Sequence, residues 1–270
     1  MRTFDFSFKT ELAFEQPVEC HDFVLRCVPA STPRQRVRCS LELHPEVPFD
    51  MQADGFGNPL AVGCVREPHS SFSYEVRGTA SISLDARKPC EAHPLFRYSS
   101  PLTGVSEEML EFLAQAASES TRYRITHSRG AQPSMLYTCQ HLMQRLGEEM
   151  EYAPSSTSVK TTAQEAFAQR KGVCQDYAHI LVALFRELGI PARYASGLTL
   201  GEGATHAWAE AHIGGLWVGF DPTRGCMADE SYLVLATGRD WQDCPIERAT
   251  FQGFTAQAQT VFAQMEEVAQ

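Results

Sequence analysis

Cys174, His206 and Asp221 are the residues whose types and placement could do chemistry. A cysteine is a good nucleophile as the thiolate, and a helix N-terminus or a nearby imidazolium favours that form. Tyr177, Leu181, Leu184, Phe185 and Leu188 recur at helical spacing after Gly172, and Gly189 and Pro191 stop that helix. Cys174 therefore falls in its first turn. Downstream, Thr205 to Ile213 and Leu216 to Asp221 flank Gly214-Gly215, a two-residue hairpin signal. If Ile213 pairs with Leu216, His206 falls opposite Thr223. Period-two alternation then puts His206 and Asp221 on one face as diagonal neighbours, at about 7–8 Å between Cβ atoms. An imidazole and a carboxylate can bridge that span, and the second ring nitrogen is left for a thiol. Nucleophile, base and orienting acid are the parts of an acyl-transfer site. Spacing alone leaves a second reading open, in which Cys174 is a small buried hydrophobe and His206 a packing residue.

The elements that position these groups follow from the rest of the chain. Residues 1–90 read as β. Phe4, Phe6 and Phe8 alternate with polar neighbours, as do Val37, Cys39, Leu41 and Leu43; Phe23 to Val28 is an apolar run, and Ser73 to Leu84 is β-prone. Turn signals at Pro29 to Pro33, Asp54-Gly55, Gly57 to Pro59 and Gly78 separate these runs, as in an antiparallel β-sandwich. Residues 91–105 read as a proline-marked connection. From 106 to 245 helices come first. One is capped by Ser106 and carries Met109, Leu110, Leu113 and Ala117. A second carries Leu136, Cys139, Leu142, Met143 and Leu146 and is expected to stop at Gly147. A third opens with the capping box Thr162 to Glu165. Strands are expected over Ala192 to Leu200, in the hairpin, and over Tyr232 to Ala236. In residues 246–270, Phe251, Phe254, Val261, Phe262, Met265 and Val268 fit a helical stripe. Gln257 to Met265 also fits a strand returning to the first domain.

Four segments carry a family resemblance: Gly172 to His179 around Cys174, Leu188 to Tyr194, Thr205 to Glu210 around His206, and Trp217 to Thr223 around Asp221. Together they resemble the core of the transglutaminase-like superfamily, a variant of the papain-like fold, in a match running over about residues 135–245. The first hundred residues resemble the β-rich N-terminal region of bacterial members, at Arg36-Val37 and Gly55 to Asn58. Gly238 to Asp240, followed by Asp243, resembles a downstream element of the same subgroup. The resemblance implies Cys174 as nucleophile, His206 as general base and acid, and Asp221 as the acid that orients it. It implies an α+β fold, with helices packed on an antiparallel sheet behind the β-sandwich. It tilts the last segment toward the strand.

Other residues carry weaker signals. The Cys174 backbone N–H is a natural oxyanion donor, and Tyr152, Gln164 or Trp208 could supply the second. Gln175 and Gly203-Ala204 mark open substrate contacts. Trp208 either walls the site or is a hairpin core aromatic. Asp176 and His179 read as a helix-end carboxylate and a buried, hydrogen-bonded histidine; Arg239 and Asp240 read as structural.

Composition excludes several classes. The net charge is −10, from 33 acidic and 23 basic residues, which disfavours nucleic acid and anionic membranes. No stretch approaches the ~18 apolar residues of a membrane span. The start lacks an apolar signal region, so a cytoplasmic protein with nine reduced thiols is expected. No CxxC pair, phosphate loop or dinucleotide motif occurs, so neither metal nor cofactor is expected. The expected partner is a peptide or protein substrate, with the β domain available to a protein partner. The expected activity is hydrolysis of a peptide or amide bond through a thioester. An amine-accepting transglutaminase and a non-catalytic scaffold are the alternatives.

Overall fold

The computed structural model describes residues 1–127 and 134–268. Its first strand, β1 (Arg2–Leu25), organises the N-terminal region. Phe4, Phe6, Phe8, Leu12 and Phe14 are buried, and so is Val18, all at even positions. From His21 onward the buried set is odd: His21, Phe23 and Leu25. The parity changes where the pairing registers slip, around Cys20, whose φ is +48°. Irregular residues of this kind re-aim every side chain that follows.

The remaining N-terminal strands are β2 (Gln35–His44), β3 (Phe49–Ala53), β4 (Pro59–Val65) and β5 (His69–Ile82). β5 pairs with the first half of β1 and β4 with the second, so one continuous sheet folds back on itself. Phe23, beyond the bend, meets Phe72 of β5 with ring centroids 5.0 Å apart. The expected sandwich is thus a single sheet whose two layers share β1.

The core begins with α1 (Glu107–His127) and α2 (Met135–Glu149). Then come β6 (Glu151–Tyr152), α3 (Ala163–Gln169), β7 (Lys171–Gly172) and α4 (Cys174–Glu187). Strands β8 (Ala192–Thr199), β9 (Gly201–Gly203), β10 (His206–Ile213), β11 (Leu216–Asp221), β12 (Cys226–Met227) and β13 (Tyr232–Gly238) follow. Five of them form an antiparallel sheet in the order β12-β11-β10-β8-β13. Ala207, Ala209 and Ala211 are buried on the face of β10 that meets α4. Small side chains there let the helix lie close. The other face carries His206, Trp208 and Glu210. Leu198, Leu233 and Leu235 join the N-terminal core, so this sheet is covered on both sides.

The last strands are β14 (Glu247–Gln252) and β15 (Gln257–Glu267). β15 pairs with β1 from Phe4↔Glu267 to Phe14↔Gln257 and also with β9. Residues 246–270 therefore contribute strands, and the helical stripe is not formed.

Several details differ from expectation. α2 runs past Gly147 to Glu149. A Cβ on Gly147 would stand 3.0 Å from the Pro222 carbonyl, so this glycine admits a close neighbour and does not end the helix. Leu110 is 43% exposed; α1 buries Met109 and Leu113 as expected, and Phe112 and Ala116 complete that face. Residues 91–105 are packed: Phe96 is buried, with its ring 5.3 Å from Trp217 and 5.8 Å from Phe56.

The open edge of β13 is closed by two side-chain amides. Gln35 bonds both the N–H (3.0 Å) and the carbonyl (2.8 Å) of Val234. Asn58 does the same for Thr237, at 2.8 and 2.9 Å. Each amide takes the place of a neighbouring peptide group and covers an edge that would otherwise be available for pairing. No helix among the described residues is long and apolar enough to cross a membrane.

Candidate active site

Cys174 opens α4, half-buried against Ala178, Tyr194 and Ala207. Asp176 at the third helical position secures that end. Its Oδ2 accepts from the Val173 N–H (2.8 Å) and the Thr157 hydroxyl (2.6 Å). A Cβ on Gly172 would come within 2.7 Å of the Asp176 side chain, so the approach to Cys174 requires glycine there. Asp176 thus has the helix-end role expected of it; burial, its largest influence, pushes its pKa up.

The hairpin forms as the glycines predict. Gly214 and Gly215 have φ of +61° and +82°, and Ile213 pairs with Leu216. The ladder continues to Ala209↔Phe220, and His206 and Asp221 emerge on the same face. His206 Nε2 donates to Asp221 Oδ2 at 2.6 Å. Asp221 is fully buried and also accepts from the Tyr232 hydroxyl (2.8 Å) and from the backbone N–H groups of Thr223 (3.1 Å) and Arg224 (3.2 Å). Burial opposes its charge, but the donors from His206, Tyr232 and the backbone outweigh it and hold the carboxyl below its ordinary range. Burial likewise opposes the imidazolium. Hydrogen bonds with Asp221 and with the Cys174 side chain overcome it and lift His206 to about 9. Since Nε2 serves Asp221, Nδ1 is the nitrogen turned to the thiol.

Residues 121–222 match the model of the transglutaminase-like superfamily, and residues 4–81 match that of the bacterial transglutaminase-like N-terminal region. The chain carries a transglutaminase-like core. An uncharacterized protein of Mycobacterium leprae is 36% identical over 115 residues, covering 39% of this chain and 41% of that protein. The chain therefore spans less than half the length of that relative. An uncharacterized protein of Mycobacterium tuberculosis is 28% identical over 218 residues, covering 71% of this chain and 68% of its own. Among solved structures, "a Putative Cysteine Protease from Cytophaga hutchinsonii" superposes with a TM-score of 0.70 at 21% identity, covering 100% of this chain and 92% of that one. At that identity the likeness is one of fold.

Within the transglutaminase-like core the other sequence candidates separate. Trp208 is 0% exposed, its ring 6.4 Å from His206 and edge-on to Tyr232 at 5.2 Å. It fills the space between Gly197 and Gly219, where a Cβ would meet the indole at 2.8 and 3.3 Å. It is a core aromatic behind the histidine and offers no face to a substrate. Tyr152 is 52% exposed beside Cys174; burial and the thiol's charge push its pKa up. Gln175 is half-buried next to Cys174. Gln164 is a correction. Its amide donates to the Val105 carbonyl and lies against Gly104, because α3 turns that position toward the start of α1. His179 is buried and neutral, pushed down to about 3 by burial and by Arg186, and its Nε2 accepts from the Trp241 N–H. Arg239 pairs with Asp243 at 2.8 Å, and Asp240 caps the turn at Trp241–Asp243, both structural as expected.

Tyr232 is the site residue that sequence reading overlooked. A buried tyrosine usually finds a partner for its hydroxyl, and one opening an apolar strand carries that signal. Tyr232→Phe is expected to lower turnover about tenfold, the size of one hydrogen bond to a charged group. The melting temperature should fall by only a few degrees, because Asp221 keeps His206 and two backbone N–H donors. A kinetic and melting comparison checks both, and unchanged kcat/KM would remove Tyr232 from the site.

Proposed function

We propose that this protein is a cysteine-dependent acyl-transfer hydrolase, a peptidase or amidase that works through a thioester. The observation that supports the reading most is the His206–Asp221 pair, its ring held at 2.6 Å by a buried carboxylate, with the Cys174 side chain near enough to raise the pKa of that ring. The Cys174 sulfur attacks a peptide or carboxamide carbon, and a C–S bond forms. The resulting oxyanion is met by the Cys174 N–H at the start of α4, with the exposed Tyr152 hydroxyl as second donor. The intermediate collapses as the His206 imidazolium protonates the leaving amine and the C–N bond breaks. Water then adds to the thioester while His206 takes its proton. The C–S bond breaks, releasing the acid, the thiolate and the imidazolium.

The test follows ammonia or new amino termini from a peptide and amide library, with and without an added primary amine. Release should dominate, with little amine incorporated. Incorporation exceeding hydrolysis would make the protein an amine-accepting transferase instead.

The pH profile is a second test. His206 must be protonated to serve the leaving amine. Its imidazolium persists below about 9, so kcat/KM should fall as pH rises through about 9. Asp221→Asn removes the main support of the charged ring and should move that limb to lower pH. The same shift has a consequence for stability. A pKa raised above its ordinary 6.5 gives stability that is complete below about 6.5 and is lost as pH rises through about 9.

A further inference from the structure

A second concave site lies between the N-terminal sheet and the far end of β10. It is a cavity of about 330 Å³, near the lower limit for small-ligand pockets. Glu210 on its wall is four residues from His206 along β10, roughly 13 Å at the usual strand rise. The buried Trp208 fills the interval, so this cavity is separate from the candidate active site.

Its charge is unusual for a chain of net charge −10. Arg34, Arg87, Lys88 and Arg193 line it, against one carboxylate, Glu210. That carboxylate is already engaged by Arg34 (3.0 Å) and by Arg193 (2.6 and 2.8 Å). Arg87 donates to the Leu84 and Trp217 carbonyls, which neutralise nothing. Arg34 Nε is buried without a partner among the described residues. Burial depresses the Arg34 pKa first; Arg193 and Arg87 add to that depression, and Glu210 opposes it. The rest of the wall is largely apolar and includes Trp217, whose face is covered by the Arg193 guanidinium at 4.2 Å.

We propose that this interdomain cavity binds a small organic carboxylate with an apolar body, its charge met by Arg87 and Lys88 and its body lying near Trp217. A phosphate dianion suits it less, because the wall is mostly apolar. The site does not depend on the proposed reaction.

Calorimetric titration of the full chain with hippurate, its neutral amide hippuramide and inorganic phosphate is the test. Hippurate should bind once per chain and hippuramide about tenfold or more weakly, the value of a charge-assisted contact. Lys88→Gln, at an exposed position, should weaken hippurate several-fold, and Arg87→Gln/Lys88→Gln about tenfold, with melting temperatures near that of the parent. A pentapeptide with the same terminal carboxylate separates two sources of the ligand. Binding like hippurate would support peptide ends, and no binding would support free acids. Equal binding of hippurate and hippuramide, tighter binding of phosphate, no binding to roughly millimolar concentration, or full affinity in both variants would each overturn the proposal.

Discussion

Cys174→Ala is expected to abolish turnover, by a factor on the order of 10⁴ or more relative to the parent chain. The size follows from the chemistry: without the sulfur there is no thioester, and what remains is binding plus the two proposed oxyanion donors. His206→Ala should cost about as much, because the same imidazole activates the thiol and protonates the leaving group, and groups acting as a unit do not add. Alkylation by iodoacetamide separates the two roles. In the parent, Cys174 should be modified rapidly at pH 6, where the other thiols react slowly. In His206→Ala that rate should fall about tenfold or more. Removing the ring can only open access to the half-buried Cys174, and the helix cap through Asp176 is untouched, so a slower rate does not arise from access. Equal alkylation rates with and without His206 would remove the basis for the proposed mechanism. Normal turnover by Cys174→Ala would remove the enzyme reading altogether.

Glu210→Ala should be the most damaging single change to folding. Glu210 is fully buried, and its two oxygens receive three guanidinium N–H groups from Arg34 and Arg193. Burial works against the charge, yet the two arginines hold the carboxyl below its ordinary range. Removing it leaves two guanidinium groups facing each other, with side chains only 12% and 21% exposed. Breaking such a group from one side costs about 3–5 kcal/mol. That corresponds to a fall in melting temperature of about 10 °C for a chain of this size. Because Arg34 comes from the N-terminal region and Arg193 from β8, the loss should also loosen the two regions from each other. Protease nicking between residues 82 and 107 reports that loosening. Glu210→Met combined with Arg34→Met removes both charges of the cross-domain pair and should recover part of the lost stability. No change in melting temperature for Glu210→Ala would show that the pair is solvated and structurally idle.

How much of this was legible in the sequence differs by scale. Periodicity placed α4, and two glycines fixed the hairpin, because each is dictated by local geometry. Once Ile213 and Leu216 are paired, alternation leaves no freedom over which face His206 and Asp221 share. Capping at Thr162 was equally local and is present. What sequence reading missed depends on contacts between distant segments. Tyr232 reaches Asp221 only because β13 and β11 lie on either side of β8 and β10. Gln35 and Asn58 look like ordinary polar loop and strand residues until β13 is found with an open edge beside them. Gln164 is one of three residues the sequence offers as second oxyanion donor, but one turn of a short helix decides which way it points. Gly147 read as a stop, yet its purpose is close approach by the Pro222 carbonyl.

The pairing of β1 with β15 has a consequence for biosynthesis. Phe4 and Glu267 are neighbours across the sheet although nearly the whole chain lies between them. While the polypeptide is emerging from the ribosome, β1 can find β5 early, but its other margin stays unmatched until Gln257–Glu267 has been translated. An unmatched margin of that length invites wrong partners. The nascent chain therefore passes through a long interval in which its first strand needs shielding, and the sheet closes over that margin only when Gln257–Glu267 arrives.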